Sequence, residues 1–119
     1  MSDRSIDDLP KPVERLRSMI QKGYADPDFK LDKCIHAMPF HYDYMRKLFR
    51  KEMGVSPLGF MTELRMQRAG ELLRNWNPAD RLCIGCVAEQ CGFSDALYFS
   101  RVFKKHYGQS PTDYYMEFH

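Results

Sequence analysis

Shifting this chain of 119 residues by 54 positions lays one stretch of it on another. Tyr44 falls on Tyr98, Phe49 on Phe103, Lys51 on Lys105, Gly54 on Gly108, Ser56 on Ser110 and Pro57 on Pro111. Lys47 and Arg101, Arg50 and Lys104, Leu48 and Val102, and Phe60 and Tyr114 agree in chemistry, and Cys34 meets Ala88, two small residues in the preceding helix of each copy. The pattern is that of a duplicated supersecondary unit. The second copy shows what is repeated. Ser94 is placed to cap a helix with its hydroxyl, and Asp95 suits the positive end of the helix dipole. Phe99, Val102 and Phe103 then recur at helical spacing, while Ser100, Arg101, Lys104 and Lys105 occupy other faces. Gly108 can take the left-handed conformation that ends a helix, and Ser110-Pro111 starts another. The unit is helix, tight turn, helix.

The rest of the chain fits around these two units. Met1 to Leu9 is polar and acidic and is expected to fray. Pro10 and Pro12 bracket the start of a helix over about 13–22, with Val13, Leu16, Met19 and Ile20 on its apolar face and Gly23 at its end. Leu31, Cys34 and Ile35 mark a short second helix, with Met38 near its end, and 41–51 a third with Met45, Leu48 and Phe49 inward. A long helix over 56–74 carries Phe60, Met61, Leu64, Ala69, Leu72 and Leu73; at 1.5 Å per residue it spans roughly 27 Å. The irregular segment Asn75–Leu82 leads to a helix over 84–90, the helix over 94–106 and a last one from Pro111. Strand-like alternation is absent, so the expected class is all-α, divided as a first lobe (1–55), a linking helix (56–74) and a second lobe (75–119).

Composition narrows the function. A hydrophobic content of 44% is ample for a core, and a formal charge of +2 is far from that of a nonspecific nucleic-acid coat. The distribution says more: residues 1–40 balance seven Lys and Arg against seven Asp and Glu, whereas 46–51 and 101–105 are basic clusters on helices. No apolar run reaches the roughly 18–20 residues of a membrane span and no signal segment opens the chain, which points to the cytoplasm. No Ser/His/Asp set, carboxylate pair or phosphate loop suggests an enzyme, and no cofactor or metal is expected.

Two helices joined by a short turn, the second with a basic outer face, have the geometry of a helix-turn-helix whose second helix enters the major groove. Two such units held apart by a stiff helix suit two successive grooves about one turn, roughly 34 Å, apart. Gly92-Phe93-Ser94-Asp95, the run Tyr98 to Lys105, Gly108 and Ser110-Pro111 resemble the signature of the AraC/XylS family of bacterial transcription regulators. The resemblance covers about 30–116 and includes Phe49, Gly54, Arg65, Ala69, Leu72 and Leu73. It implies a seven-helix, two-lobed domain that sets its third and sixth helices into adjacent major grooves of double-stranded DNA. RNA polymerase is the further partner implied, and an effector-binding or dimerisation domain outside this chain is a feature of many relatives.

Carried over residue by residue, the resemblance puts Asp43, Arg46 and Lys47 of the third helix toward base edges, with Tyr42 and Arg50 nearer the backbone. In the sixth helix it puts Asp95, Ala96, Tyr98, Ser100 and Arg101 toward bases. Arg46 and Arg101 are the leading candidates, because a guanidinium fork can donate to guanine O6 and N7 together. Lys104 and Lys105 suit phosphates. Tyr98 reads equally as a half-buried packing residue, and His106 as a surface residue late in its helix. Phe49, Phe93, Phe99 and Phe103 read as core.

Three features depart from the family pattern. His41 stands where a serine-like cap is usual. Asp43 puts a negative charge on a base-reading face, where it could accept from cytosine N4, orient Arg46 or Lys47, or repel a misaligned phosphate. Asn75–Leu82 is longer than the usual link. The cysteines carry the alternative function: Cys83, Cys86 and Cys91 crowd near one helix and would serve a thiol-based redox or metal-sensing switch, against a default of reduced, packed thiols that also takes in Cys34.

Overall fold

The computed structural model describes residues 11–119, and among them seven helices carry the fold: α1 (Pro12–Gly23), α2 (Leu31–His36), α3 (Tyr42–Met53), α4 (Pro57–Arg74), α5 (Ile84–Gln90), α6 (Ala96–Tyr107) and α7 (Pro111–Phe118). The expectations for Met1–Leu9 and Pro10 lie outside the described residues. Both copies of the repeat end and restart alike. Gly54 closes α3 at φ 81° and Gly108 closes α6 at φ 79°, each with its amide bonded back to the fourth residue before it, Arg50 or Lys104. Left-handed backbone of this kind strains any side chain with a Cβ, hence glycine in both places. Ser56 Oγ then accepts from the Gly59 amide at 3.0 Å and Ser110 Oγ from the Asp113 amide at 3.1 Å, each with proline following at the first helical position.

Helix starts differ from expectation in two places. The cap of α6 is Asp95, not Ser94. Its Oδ1 accepts from the amides of Leu97 (2.9 Å) and Tyr98 (3.2 Å), so a carboxylate, not a hydroxyl, faces the positive end of the dipole and the helix begins at Ala96. His41 does cap α3: its Nδ1 accepts from the Asp43 amide at 3.3 Å. The imidazole thus does the work of the missing serine. At the other end α3 runs past Lys51 to Met53.

Each lobe has its own core. The first gathers Val13, Leu16, Ile20, Ile35, Met38, Met45, Phe49 and Met61; the second gathers Met66, Ala69, Leu73, Val87, Ala88, Cys91, Phe93, Phe99, Phe103 and Tyr114. Met38 is buried although it lies two residues beyond α2. The linking helix α4 supplies both cores, Met61 to one and Met66, Ala69 and Leu73 to the other. Its apolar surface therefore turns around the helix along its length, and no single stripe holds throughout. The second core is aromatic: Phe93 lies edge-on to Phe99, and Phe103 stacks on Tyr107 with ring centres 4.4 Å apart and meets Tyr114 edge-on. Gly70 is buried on α4 because Tyr107 lies over it and donates its hydroxyl to the Met66 carbonyl at 2.8 Å. Among the described residues no helix is long and apolar enough to cross a membrane.

Candidate nucleic-acid interface

Helices α3 and α6 are each held by two fully buried side chains one turn apart, Met45 and Phe49 in one and Phe99 and Phe103 in the other. With those pointing inward, the opposite faces must meet solvent. On α3 the exposed side chains are Asp43, Tyr44, Arg46, Lys47 and Arg50, followed by Lys51 and Glu52 in the last turn; on α6 they are Ala96, Leu97, Tyr98, Arg101, Lys104, Lys105 and His106, with Ser100 half-buried. Each helix thus brings its own candidates onto one face of its lobe.

Neighbours within the first lobe already constrain several candidates. The Tyr42 hydroxyl donates to Asp32 Oδ1 at 2.6 Å, and that hydrogen bond, more than burial, raises its pKa. Its phenol is thereby turned toward α2. The Arg46 guanidinium lies 5.7 Å from the centre of the Tyr42 ring, with Nη1 3.9 Å from Asp43 Oδ1. Both partners of that ion pair are more than half exposed, so it is worth at most about 1 kcal/mol. Asp43 thus stands within ion-pair reach of Arg46. In the second lobe the Asp95 carboxylate is committed to capping, and the Tyr98 ring rests 5.9 Å from Phe93 while 57% exposed.

Three residues outside the expected set belong to this surface or hold it. Tyr44 is 53% exposed at the place on α3 that Tyr98 holds on α6. The repeat itself pairs them, a signal sufficient to have named both. Leu97 is 75% exposed, the most open large apolar side chain among the described residues. Arg65, on α4, donates from Nε to the Tyr24 carbonyl just past the end of α1 at 2.9 Å, and its guanidinium carbon lies 5.2 Å from the centre of the Phe93 ring. Tyr24 packs on the first core and Phe93 belongs to the second, so one side chain touches both lobes. Burial lowers the Arg65 pKa without threatening its charge. Gly92, at φ 101°, lets the turn between α5 and α6 close onto the same Tyr24 carbonyl, where a Cβ would collide with it.

The thiols divide differently from expectation. Cys83 and Cys86 are joined in a disulfide, with Cα atoms 5.2 Å apart, so reduced thiols do not describe this pair. The reason is local: Cys83 is the cap of α5 and Cys86 sits three residues on, on the same side, its amide donating to Cys83 Sγ. Cys91 and Cys34 are free. Cys91 is a packed thiol, donating to the Val87 carbonyl at 3.1 Å, with its pKa pushed up to about 12 by burial. Among the described residues no three His, Cys, Asp or Glu side chains come together as metal ligands.

Two helix-turn-helix units on a shared helix define a class, and comparison with known proteins places the chain within it. Residues 36–116 match the family described as "Helix-turn-helix domain". The chain is 36% identical over 110 residues to the HTH-type transcriptional regulator YisR of Bacillus subtilis, a match spanning 89% of this chain and 37% of that protein. It is 34% identical over 95 residues to the arabinose operon regulatory protein of Escherichia coli, spanning 80% of this chain and 31% of the other. Among solved structures, the C-terminal domain of AraT, a response regulator from Geobacillus stearothermophilus, superposes with a TM-score of 0.77 at 31% identity, covering 98% of this chain and 88% of that one. The chain belongs to the AraC/XylS family of helix-turn-helix DNA-binding domains. It spans about a third of the length of those two curated relatives.

Proposed function

We propose that the chain binds double-stranded DNA in a sequence-specific manner, α3 and α6 reading two adjacent major grooves on one face of the duplex, and thereby regulates transcription. The observation that carries this is the repeated unit: two helices, each anchored by two buried side chains, turn basic faces outward from lobes that share α4. Arg46 and Arg101 are assigned to base edges, each good bidentate contact with guanine contributing roughly 1–3 kcal/mol of discrimination. Lys47, Tyr98 and Ser100 flank them, Asp43 orients Arg46, and Asp95 and Ala96 form the rim at the start of α6. Arg50, Lys104 and Lys105 meet phosphates, which fix register and carry the salt dependence; Tyr42 supports Arg46 from beneath. The cytoplasm is the compartment, RNA polymerase the downstream partner, and an effector-binding or dimerisation domain outside this chain the source of control.

The test is selection of bound sequences from a random duplex pool, followed by anisotropy titration of the winner and a scrambled control at several salt concentrations. The expected winner has two short blocks about one helical turn apart. Arg46→Ala relaxes one block and Arg101→Ala the other, while Lys105→Ala weakens all sequences alike and lowers the salt slope by about 0.9. Weak binding that is indifferent to sequence would sink the proposal.

A further inference from the structure

The repeat makes Leu97 the counterpart of Asp43, since 97 less 54 is 43, and the two reading helices therefore differ in kind at one matched position. Both residues lie in the first turn, where a reading helix meets base edges. Asp43 has a partner within the protein in Arg46. Leu97 has none: it belongs to neither core, packs among the half-buried side chains of neither, and leaves three quarters of its surface open. Only its backbone is used, the amide donating to Asp95 Oδ1 at 2.9 Å and so fixing where the side chain starts. Helical spacing sets Leu97 one turn before Arg101, with Ser100 and Lys104 on the same side. An isobutyl group here is left open by both cores of the free protein, and a groove floor offers it one apolar feature, the C5-methyl group of thymine.

We infer that Leu97 reads the methyl group of a thymine, next to the base read by Arg101, which makes the target's two blocks chemically unlike at this matched position. The inference rests on the DNA-binding reading above and adds to it a base identity. Methyl burial is the whole of the effect, so its size follows from one carbon. Removing that carbon from the DNA should weaken binding about four-fold, the equivalent of roughly 0.8 kcal/mol per buried methyl-sized group.

The experiment uses the full chain and the selected duplex, each thymine of the Arg101-dependent block being replaced singly by deoxyuridine, which pairs alike but lacks the methyl. In the wild-type protein one position should weaken binding about four-fold. In Leu97→Ala that same replacement should have no effect, whereas Tyr98→Phe should keep the sensitivity. The inference is overturned if no deoxyuridine weakens wild-type binding, or if the sensitive position persists in Leu97→Ala. A chain that selects no duplex at all overturns the DNA-binding reading together with this one; a selective chain blind to the methyl overturns this one alone.

Discussion

Replacing Arg65 by methionine keeps an unbranched stem and removes a guanidinium that touches both lobes. Its Nε bond to the Tyr24 carbonyl at 2.9 Å is charge-assisted and half-buried, a class that contributes about 1.5–3 kcal/mol. The contact with Phe93 at 5.2 Å adds about 0.5–1 kcal/mol. Methionine recovers some of this by packing on the same ring, leaving a net loss of about 2–3 kcal/mol. Unfolding entropy of about 2.1 cal/mol/K per residue gives this chain about 0.25 kcal/mol/K, so the midpoint should fall by about 8–12 °C. Calorimetry checks that figure. The same loss frees the lobes to shift against one another, so duplexes with the two blocks moved one base pair closer or farther should discriminate less in Arg65→Met than in the wild type. A stability loss below about 1 kcal/mol, together with an unchanged spacing profile, would refute the claim that Arg65 joins the lobes.

Gly70→Ala should destabilise the domain in urea unfolding, although alanine inside a helix normally gains about 0.5–1 kcal/mol over glycine, because a Cβ there would stand 2.5 Å from the Tyr107 hydroxyl and displace it from the Met66 carbonyl. Cys91 should resist alkylation at pH 8 in the native state and react at once in denaturant. Its pKa rises on folding from 9.0 to about 12, so the native state holds a proton that the unfolded chain loses, and stability should fall as pH climbs through that window while Cys91→Ala removes that share of the decline. Cys83→Ser with Cys86→Ser should leave DNA affinity within about two-fold, with or without reductant, since the pair lies at the start of α5 and not on α3 or α6; a larger change would revive the thiol-switch alternative.

The helix pairs were legible because their signals are local. Glycine, serine and proline in fixed order determine the end of one helix and the start of the next within a few residues, and both copies use them. The cap of α6 was misplaced by one residue for the same reason: Ser94 and Asp95 are both good caps, and only the backbone decides whose oxygen reaches the amides of Leu97 and Tyr98. Contacts between distant residues were not legible. Arg65 with Tyr24 and Tyr107 with Met66 each join residues 41 apart in sequence, and nothing in periodicity announces them. The exposed leucine of α6 escaped for another reason, since nothing in spacing tells an apolar side chain left open from one turned inward, and only burial reveals Leu97; Tyr44 was within reach of the repeat.

Because both cores are anchored on α4 itself, that helix acts as a screw that sets phase. One residue inserted between Met61 and Met66 would turn the second lobe by about 100° and advance it by about 1.5 Å, carrying α6 off the groove. Residues added to Asn75–Leu82 would not, since the second lobe takes its bearing from Met66, Ala69, Gly70 and Leu73, upstream of that segment. Between Trp76 and Leu82, which pack on that core, the link can vary in length; the helix before it cannot.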